Sequence, residues 1–213
     1  AKDCLSPCLV RKNLTILTNA TTHKVIFDGK RAIGVEFGHK RRTHQIYAKK
    51  EVLLSAGAFA SPQILLLSGV GPEEQFDRFG IKKVHHLKGV GENLQDHIDL
   101  VHAFRTKEKH DTFGISLSMV KKLARAWPDW RNRRSGKMSS NFAEGVAFLF
   151  SDTKSKVPDL EFVFVIAMVD DHARKIRYGH GISSHVTLLR PKSRGSVRLN
   201  SIDPYSPPEI DPN

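Results

Sequence analysis

Residues 51–71 constrain the fold more than any other stretch of the chain. The apolar run Val52–Leu54 predicts a short buried strand, and the run stops at Ser55-Ala56-Gly57, where the side chains become very small. Small residues at the end of a strand allow a bulky ligand to approach the backbone closely. This segment therefore predicts a strand that leads into an open, ligand-facing turn.

A helix start follows this turn. Ser61 is a favoured N-cap residue and Pro62 is preorganised for the first helical position, so the sequence predicts a helix over Gln63–Ser68 that ends at Gly69. The N-terminus of a helix favours anionic groups. The whole stretch is thus typical of a strand–turn–helix unit that holds a negatively charged ligand, although an ordinary unit of this kind without a ligand has the same generic features.

The order of residues in this unit resembles the second signature of the glucose-methanol-choline (GMC) oxidoreductases. The resemblance is contiguous over fifteen positions, which makes it far more specific than an isolated glycine motif, and it is carried by Gly57-Ala58, Ser61-Pro62, Ile64-Leu65 and Ser68-Gly69-Val70-Gly71. Members of this family are flavoenzymes that oxidise alcohols. The resemblance implies FAD as the cofactor and a primary alcohol as the substrate.

The similarity to this family extends over essentially the whole chain. It includes the hairpin before the signature, the block after it and the start of the C-terminal section, in the segments Asn13–Ile16, Gly29–Glu36, Gly89–His97, Leu189–Leu199 and Pro208–Asn213. Asn141–Gly145 and Val169–His172 resemble bacterial choline dehydrogenases and related alcohol dehydrogenases more than glucose oxidases. The resemblance therefore favours a choline dehydrogenase-like enzyme.

The fold class that we expect is mixed, α/β and α+β. Residues 1–98 would form part of an FAD-binding Rossmann-like domain, and residues 99–213 would form part of an antiparallel-sheet substrate domain that is incomplete at its C-terminus. The second half contains short strands over residues 145–150, 160–169, 184–189 and 196–199, spaced as in an antiparallel sheet.

A basic amphipathic helix is predicted in the second half. It covers Ser118–Trp130, with Met119, Leu123, Ala126 and Trp130 roughly on one face, and Pro128 interrupts it. No apolar run in the sequence approaches the length that a membrane-spanning helix needs.

The chain reads as an internal fragment. It starts without methionine and lacks an apolar signal core, and the G-x-G of Gly89 and Gly91 has Leu94 where a dinucleotide fingerprint needs its third glycine. In the family, the alcohol gives a hydride to the flavin and a proton to a histidine base in a C-terminal block that has no counterpart here. We therefore assign no catalytic residue, and we expect the 213 residues alone to show no alcohol oxidation.

The resemblance also implies two groups of binding residues. For the cofactor, the small residues Ala56, Gly57 and Ala58 would form one wall of the flavin site, and Thr22 would meet the adenine through its backbone. For the substrate, the polar residues Asn141 and Glu144 would form the binding site. A carboxylate in an apolar pocket would attract a cationic alcohol such as choline but would need a partner. For Thr22 an ordinary strand position, and for Glu144 a surface loop, remain the alternatives.

The net charge of +12 raises a second hypothesis from another class. A non-catalytic basic module would bind nucleic acid or an anionic membrane surface, and a third hypothesis is a fragment that neither binds flavin nor folds alone. The basic residues form many short clusters and no RNA-binding motif accompanies them, so we expect no nucleic-acid partner. The partners that we expect are a small alcohol as substrate and a quinone or oxygen as electron acceptor. The expected location of the protein is the cytoplasm, and peripheral contact with the inner face of the membrane is left open.

Metal binding is not expected. Cys4 and Cys8 form a single C-x3-C without a second pair of ligands, and the eleven histidines show no ligand spacing on a recognisable helix. Most of these histidines should therefore be core or turn residues, and the run Gly179–His185 is the one expected nearest to a flavin.

Overall fold

A computed structural model of the chain describes residues 5–107, 112–169 and 178–213. The chain divides into two compact units, Ala1–Gln95 with Ser193–Asn213, and Asp96–Lys192. The sequence placed the boundary after residue 98 and kept the last residues in the second half. Residues 193–213 group with the first unit because their strands pair with a strand of that unit.

An antiparallel meander opens the first unit. Its strands are β1 (Ala20–Asp28), β2 (Arg31–His39) and β3 (Arg42–Tyr47), in the order β1-β2-β3. The β1–β2 turn contains Gly29 at φ +56°, a left-handed conformation that glycine adopts without strain. The hairpin that the resemblance implies before the signature is therefore confirmed.

Two helices and a short parallel pair follow. They are α1 (Gly57–Leu67), β4 (Val70–Gly71), α2 (Glu73–Phe79) and β5 (His85–His86), with β4 and β5 parallel. Gly80 ends α2 in the left-handed conformation, which glycine adopts without strain. The core of this unit is a cluster of buried apolar side chains, namely Leu66, Val70, Phe76, Val90 and Leu199.

The predicted start of α1 is wrong by one and a half turns. The helix begins at Gly57, so Ser61 and Pro62 lie inside it. The Ser61 hydroxyl reaches back and accepts a hydrogen bond from the backbone N–H of Ala56 at 3.0 Å. A serine that satisfies an N-terminal N–H from inside the helix carries the same sequence signal as one that precedes it.

The predicted strand Val52–Leu54 is likewise not formed within the described residues. These residues are extended without strand pairing, and Leu53 is 80% exposed. An extended apolar segment becomes a strand only when a neighbouring strand accepts its hydrogen bonds.

A small second sheet completes the first unit. It contains β6 (Glu92–Leu94), β12 (Gly195–Arg198) and β13 (Glu209–Asp211), in the order β13-β12-β6. The sequence had assigned residues 196–199 to the sheet of the second half, and this assignment is wrong. Val197 at 2% exposure and Leu199 at 0% are buried, and this burial holds the returning chain in the first unit.

The second unit is built on an antiparallel sheet, as predicted. Its strand order is β7-β11-β10-β9, and β8 also pairs with β11. The bounds are Ile98–Thr106 for β7, Phe113–Ile115 for β8, Ala143–Leu149 for β9, Leu160–Val165 for β10 and Gly179–Leu188 for β11.

The predicted amphipathic helix is α3, Leu117–Arg133, in the second unit. Met119 is buried and Ala126 and Trp130 are half-buried, so these three residues of the predicted face point inward, whereas Leu123 of that face is 38% exposed. Pro128 lies inside the helix without ending it. Within the described residues no helix is both long enough and apolar enough to cross a bilayer.

Candidate functional site

The N-terminus of α1 is an open, small-sided surface. Ala56, Gly57 and Ala58 are exposed, and Gly57 has φ +82°, which favours glycine. A Cβ built on Gly57 would meet no atom within 4 Å. The first turn carries no acidic residue, so the partial positive charge of the helix end is not neutralised by its own side chains.

A cavity of about 630 Å³ lies beside this helix, entirely within the first unit. One wall is the N-terminal half of α1, and the other is the turn that leads into β6; the lining includes Ala58, Ser61, Pro62 and Leu65, then Gly89–Gln95, with Leu87 and Val197. Its volume falls within the range of about 300–1,000 Å³ that is usual for small-molecule and cofactor sites.

The turn opposite α1 is locked by close backbone packing. Gly91 has φ +78°, and a Cβ on it would lie 2.1 Å from the carbonyl oxygen of Val197. The backbone N–H of Val197 donates to the carbonyl of Gly91 at 2.7 Å. Glu92 and Arg198 form an ion pair across the same two strands. This turn is therefore a fixed wall of the cavity.

Sequence reasoning undervalued this turn. The block Gly89–His97 was identified only as part of the resemblance and was assigned no site residue, whereas the structure places Asn93 in the cavity lining with φ +62°. The signal was present in the block Gly89–His97, because asparagine tolerates the left-handed conformation better than other residues with a Cβ. What the sequence did not show is that this block faces α1.

Thr22 lies apart from the helix N-terminus, in the edge strand β1. It is half-buried and pairs with Phe37 of β2, and the register shifts directly after it, between Thr22 and Lys24. Farther along the same edge, the backbone N–H of Val25 donates to the Ser68 hydroxyl at the end of α1, at 2.8 Å. Of the predicted cofactor residues, Ala58 lines the cavity, and Ala56 and Gly57 directly precede Ala58 in the chain. Thr22 lies in the β1-β2-β3 sheet.

Asn141 precedes β9 of the second unit, and Glu144 is the second residue of that strand. The Asn141 side chain accepts a hydrogen bond from the N–H of Ala143 at 3.2 Å, and the Ser140 hydroxyl donates to Glu144 at 2.6 Å. Both predicted residues are exposed, so the described residues do not form an apolar pocket around the carboxylate. Ser140 supplies the hydrogen-bond partner that a binding carboxylate needs.

The described histidines include core residues, as expected. His180 is 2% exposed, with one ring nitrogen 3.0 Å from the Thr112 carbonyl and the other 2.7 Å from the Ser116 hydroxyl. His185 lies 2.8 Å from an Asp99 carboxylate oxygen. His172 falls outside the described residues. Within the described ranges, no cluster of three metal-ligating side chains is found.

Resolved electrostatic shifts lie outside the candidate sites. Lys83 donates a hydrogen bond to Glu73 at 2.7 Å. This hydrogen bond, together with the attraction between the two opposite charges, lowers the pKa of Glu73 and raises the pKa of Lys83. Hydrogen bonds from the hydroxyl and the backbone of Ser151 lower the pKa of Asp159. All of these groups are on the surface, where such pairs contribute little to stability.

Comparison with known proteins identifies the family of the chain. Residues 1–99 match the family description "GMC oxidoreductase". The chain belongs to the GMC oxidoreductase family. It is 37% identical over 215 residues to an alcohol dehydrogenase [acceptor] of Pseudomonas putida, which covers 100% of this chain and 39% of that protein. It is 38% identical over 213 residues to an oxygen-dependent choline dehydrogenase of Chromohalobacter salexigens, covering 99% and 37% of the two chains.

The fold is also shared with a solved member of the family. A variant of Aspergillus oryzae formate oxidase, solved to study the effect of a mutation on FAD modification, superposes with a TM-score of 0.83 at 26% identity, over 95% of this chain and 40% of that one. This GMC chain thus spans about two fifths of the length of its relatives. The expected mixed fold, with part of a flavin-binding domain and an antiparallel sheet, is confirmed.

Proposed function

We propose that this chain forms part of an FAD-dependent enzyme that oxidises a primary alcohol to an aldehyde, with a quinone or oxygen as electron acceptor. The observation that carries the proposal is the small-sided N-terminus of α1 beside a cavity of about 630 Å³, at the position of the family signature. Family membership favours this enzyme over a non-catalytic basic module.

The residues present fit a flavin dinucleotide. The space in front of Gly57 is open, Ala58 adds only a methyl group to the cavity wall, and the first turn of α1 has no carboxylate to repel a phosphate. Ala56–Ala58 would hold the cofactor through the backbone, and Thr22 would contact its adenine. Bound FAD supplies the hydride acceptor of the reaction. The chain's own contribution is to shape and position that site.

Filling the cavity tests the cofactor site. In the polypeptide encoded by the complete reading frame, Ala58→Trp should lower FAD affinity at least about tenfold, because an indole would occupy the space beside the helix start. The measurement is flavin absorbance and the fluorescence change on titration with FAD. Lys49→Trp, at an exposed position of the same unit outside the cavity, should bind FAD normally. A colourless wild-type polypeptide that does not take up FAD would contradict the cofactor proposal.

Glu144 is proposed to bind the cationic group of the substrate. In the polypeptide encoded by the complete reading frame, Glu144→Gln removes this charge and should raise KM for choline about tenfold. KM for the neutral isostere 3,3-dimethyl-1-butanol should stay nearly unchanged, because a carboxylate attracts only the cationic substrate. Glu209→Gln, an exposed carboxylate of the first unit, controls for the change in net charge. An equal effect of Glu144→Gln on both alcohols would reject this role.

A further inference from the structure

Helix α3 exposes a continuous apolar stripe on its outer side. We define the α3 stripe as Leu117, Val120, Leu123, Ala124 and Trp127, which recur at the three- and four-residue spacing of one helix face. The four large side chains of the stripe are exposed to solvent: Leu117 by 87%, Val120 by 65%, Leu123 by 38% and Trp127 by 52%. So much exposed apolar surface on one short element marks an interaction site.

The side of α3 that carries Met119 fixes the helix to its own unit. Met119 is buried, and the N-cap Ser116 accepts a hydrogen bond from the Met119 N–H at 3.2 Å. The same hydroxyl lies 2.7 Å from a ring nitrogen of the buried His180, which anchors the start of the helix to β11. The outward direction of the α3 stripe is therefore set by packing on the other side.

Positive charge accompanies the stripe. The helix carries five basic residues and one acidic residue, Asp129. Lys121 and Arg125 are exposed and lie one turn apart on the flank of the stripe. Arg134 caps the C-terminal end and stacks over the Trp130 ring at 4.4 Å. An apolar stripe with an aromatic residue and a basic flank is typical of helices that lie in a membrane interface.

We infer that α3 docks flat on an anionic lipid surface, with the α3 stripe among the acyl chains and Lys121 and Arg125 at the headgroups. A second copy of this chain fits less well, because both copies would bring basic flanks together on proteins of net charge +12. Nucleic acid fits less well too, since Trp127 is the one residue of the α3 stripe that offers bases a ring on which to stack. The inference rests on this surface alone and is independent of alcohol oxidation.

Vesicle binding tests the charge requirement. The protein should bind phosphatidylcholine vesicles containing 30% phosphatidylglycerol and bind pure phosphatidylcholine vesicles weakly. Lys121→Gln with Arg125→Gln should weaken binding to the anionic vesicles about 30-fold, at roughly fivefold for each neutralised residue. Lys49→Gln with Lys50→Gln removes the same charge from exposed positions of the other unit and should change binding less than twofold. Equal losses in the two double variants would overturn the inference.

Tryptophan fluorescence tests the position of the helix, because Trp127 and Trp130 are the two tryptophans of the chain. In Trp130→Phe, emission from Trp127 should shift to the blue on vesicle binding and be quenched by lipids brominated on their acyl chains. Leu117→Gln with Val120→Gln should reduce binding at least about tenfold, while circular dichroism stays unchanged since both side chains are exposed. An unquenched Trp127, preferential retention on DNA, or dimerisation through α3 would each overturn the inference.

Discussion

Two glycines of one turn illustrate how differently single residues are constrained. Gly91 is left-handed and lies against the Val197 carbonyl, whereas a Cβ on Gly89 would meet no atom within 4 Å. Both belong to the same G-x-G, and the sequence alone treats them alike. The requirement at Gly91 comes from β12, which returns from a distant part of the chain to pair beside it.

We therefore expect opposite results from two alanine substitutions in this turn. Gly91→Ala should lower the free energy of unfolding of the first unit by about 2–4 kcal/mol, because left-handed strain adds to a backbone clash. Gly89→Ala should change it by less than about 1 kcal/mol. Urea denaturation followed by circular dichroism gives both values. Similar midpoints for the two variants would show that the turn is not locked by Val197.

At the scale of elements, α1 shows what local sequence signals omit. The terminating Gly69, at φ +81°, was predicted correctly, because a left-handed C-terminal glycine is a local requirement. The start was not, because Ser61 acts from inside the helix on Ala56. For Val52–Leu54 the missing information is a partner strand, which no local pattern encodes.

The end of α1 also protects the edge of the first sheet. The Ser68 hydroxyl accepts from the Val25 N–H of β1 and donates to the Ile64 carbonyl within the helix, and Ser68 is 7% exposed. Ser68→Ala should therefore cost about 1–3 kcal/mol of unfolding free energy, because a backbone N–H would remain buried without a partner. Thermal denaturation measures the loss. Ser55→Ala, at an exposed position of the same unit, should leave the transition unchanged, and a matching transition for both variants would count against the proposed contact.

At the scale of the whole molecule, the sequence predicted the two kinds of architecture but not how the chain is shared between them. Strand spacing indicated the antiparallel sheet of the second unit, whereas β12 was assigned to that sheet because a strand pattern does not specify its partner. The same limit applies to the site. Small residues at Ala56–Ala58 marked one wall, but the facing wall at Gly89–Gln95 depends on long-range packing.

The register of the second unit's sheet places large apolar side chains from three neighbouring strands on one common face. Ile98, Leu100 and Phe104 of β7 pair with Leu188, Val186 and Ile182 of β11, and the first two of these β11 residues also pair with Leu160 and Phe162 of β10. Directly paired residues of antiparallel strands point to the same side. Ile98, Leu100 and Phe104 are each more than half exposed, so this face is open to solvent in the chain as described.

An open apolar face of this size should bind a hydrophobic dye while the protein is still folded. We expect the native 213-residue chain to enhance the fluorescence of 8-anilinonaphthalene-1-sulfonate. The double variant Leu100→Gln with Phe104→Gln should reduce that emission to roughly half. Ile46→Gln with Ile202→Gln removes two comparably exposed apolar side chains from the first unit and should have little effect. Circular dichroism in the near ultraviolet must show intact packing in each variant, because a molten state binds the same dye. If both double variants reduced the emission equally, the dye would be reporting scattered surface residues, and the aligned face would not be a distinct feature of the molecule.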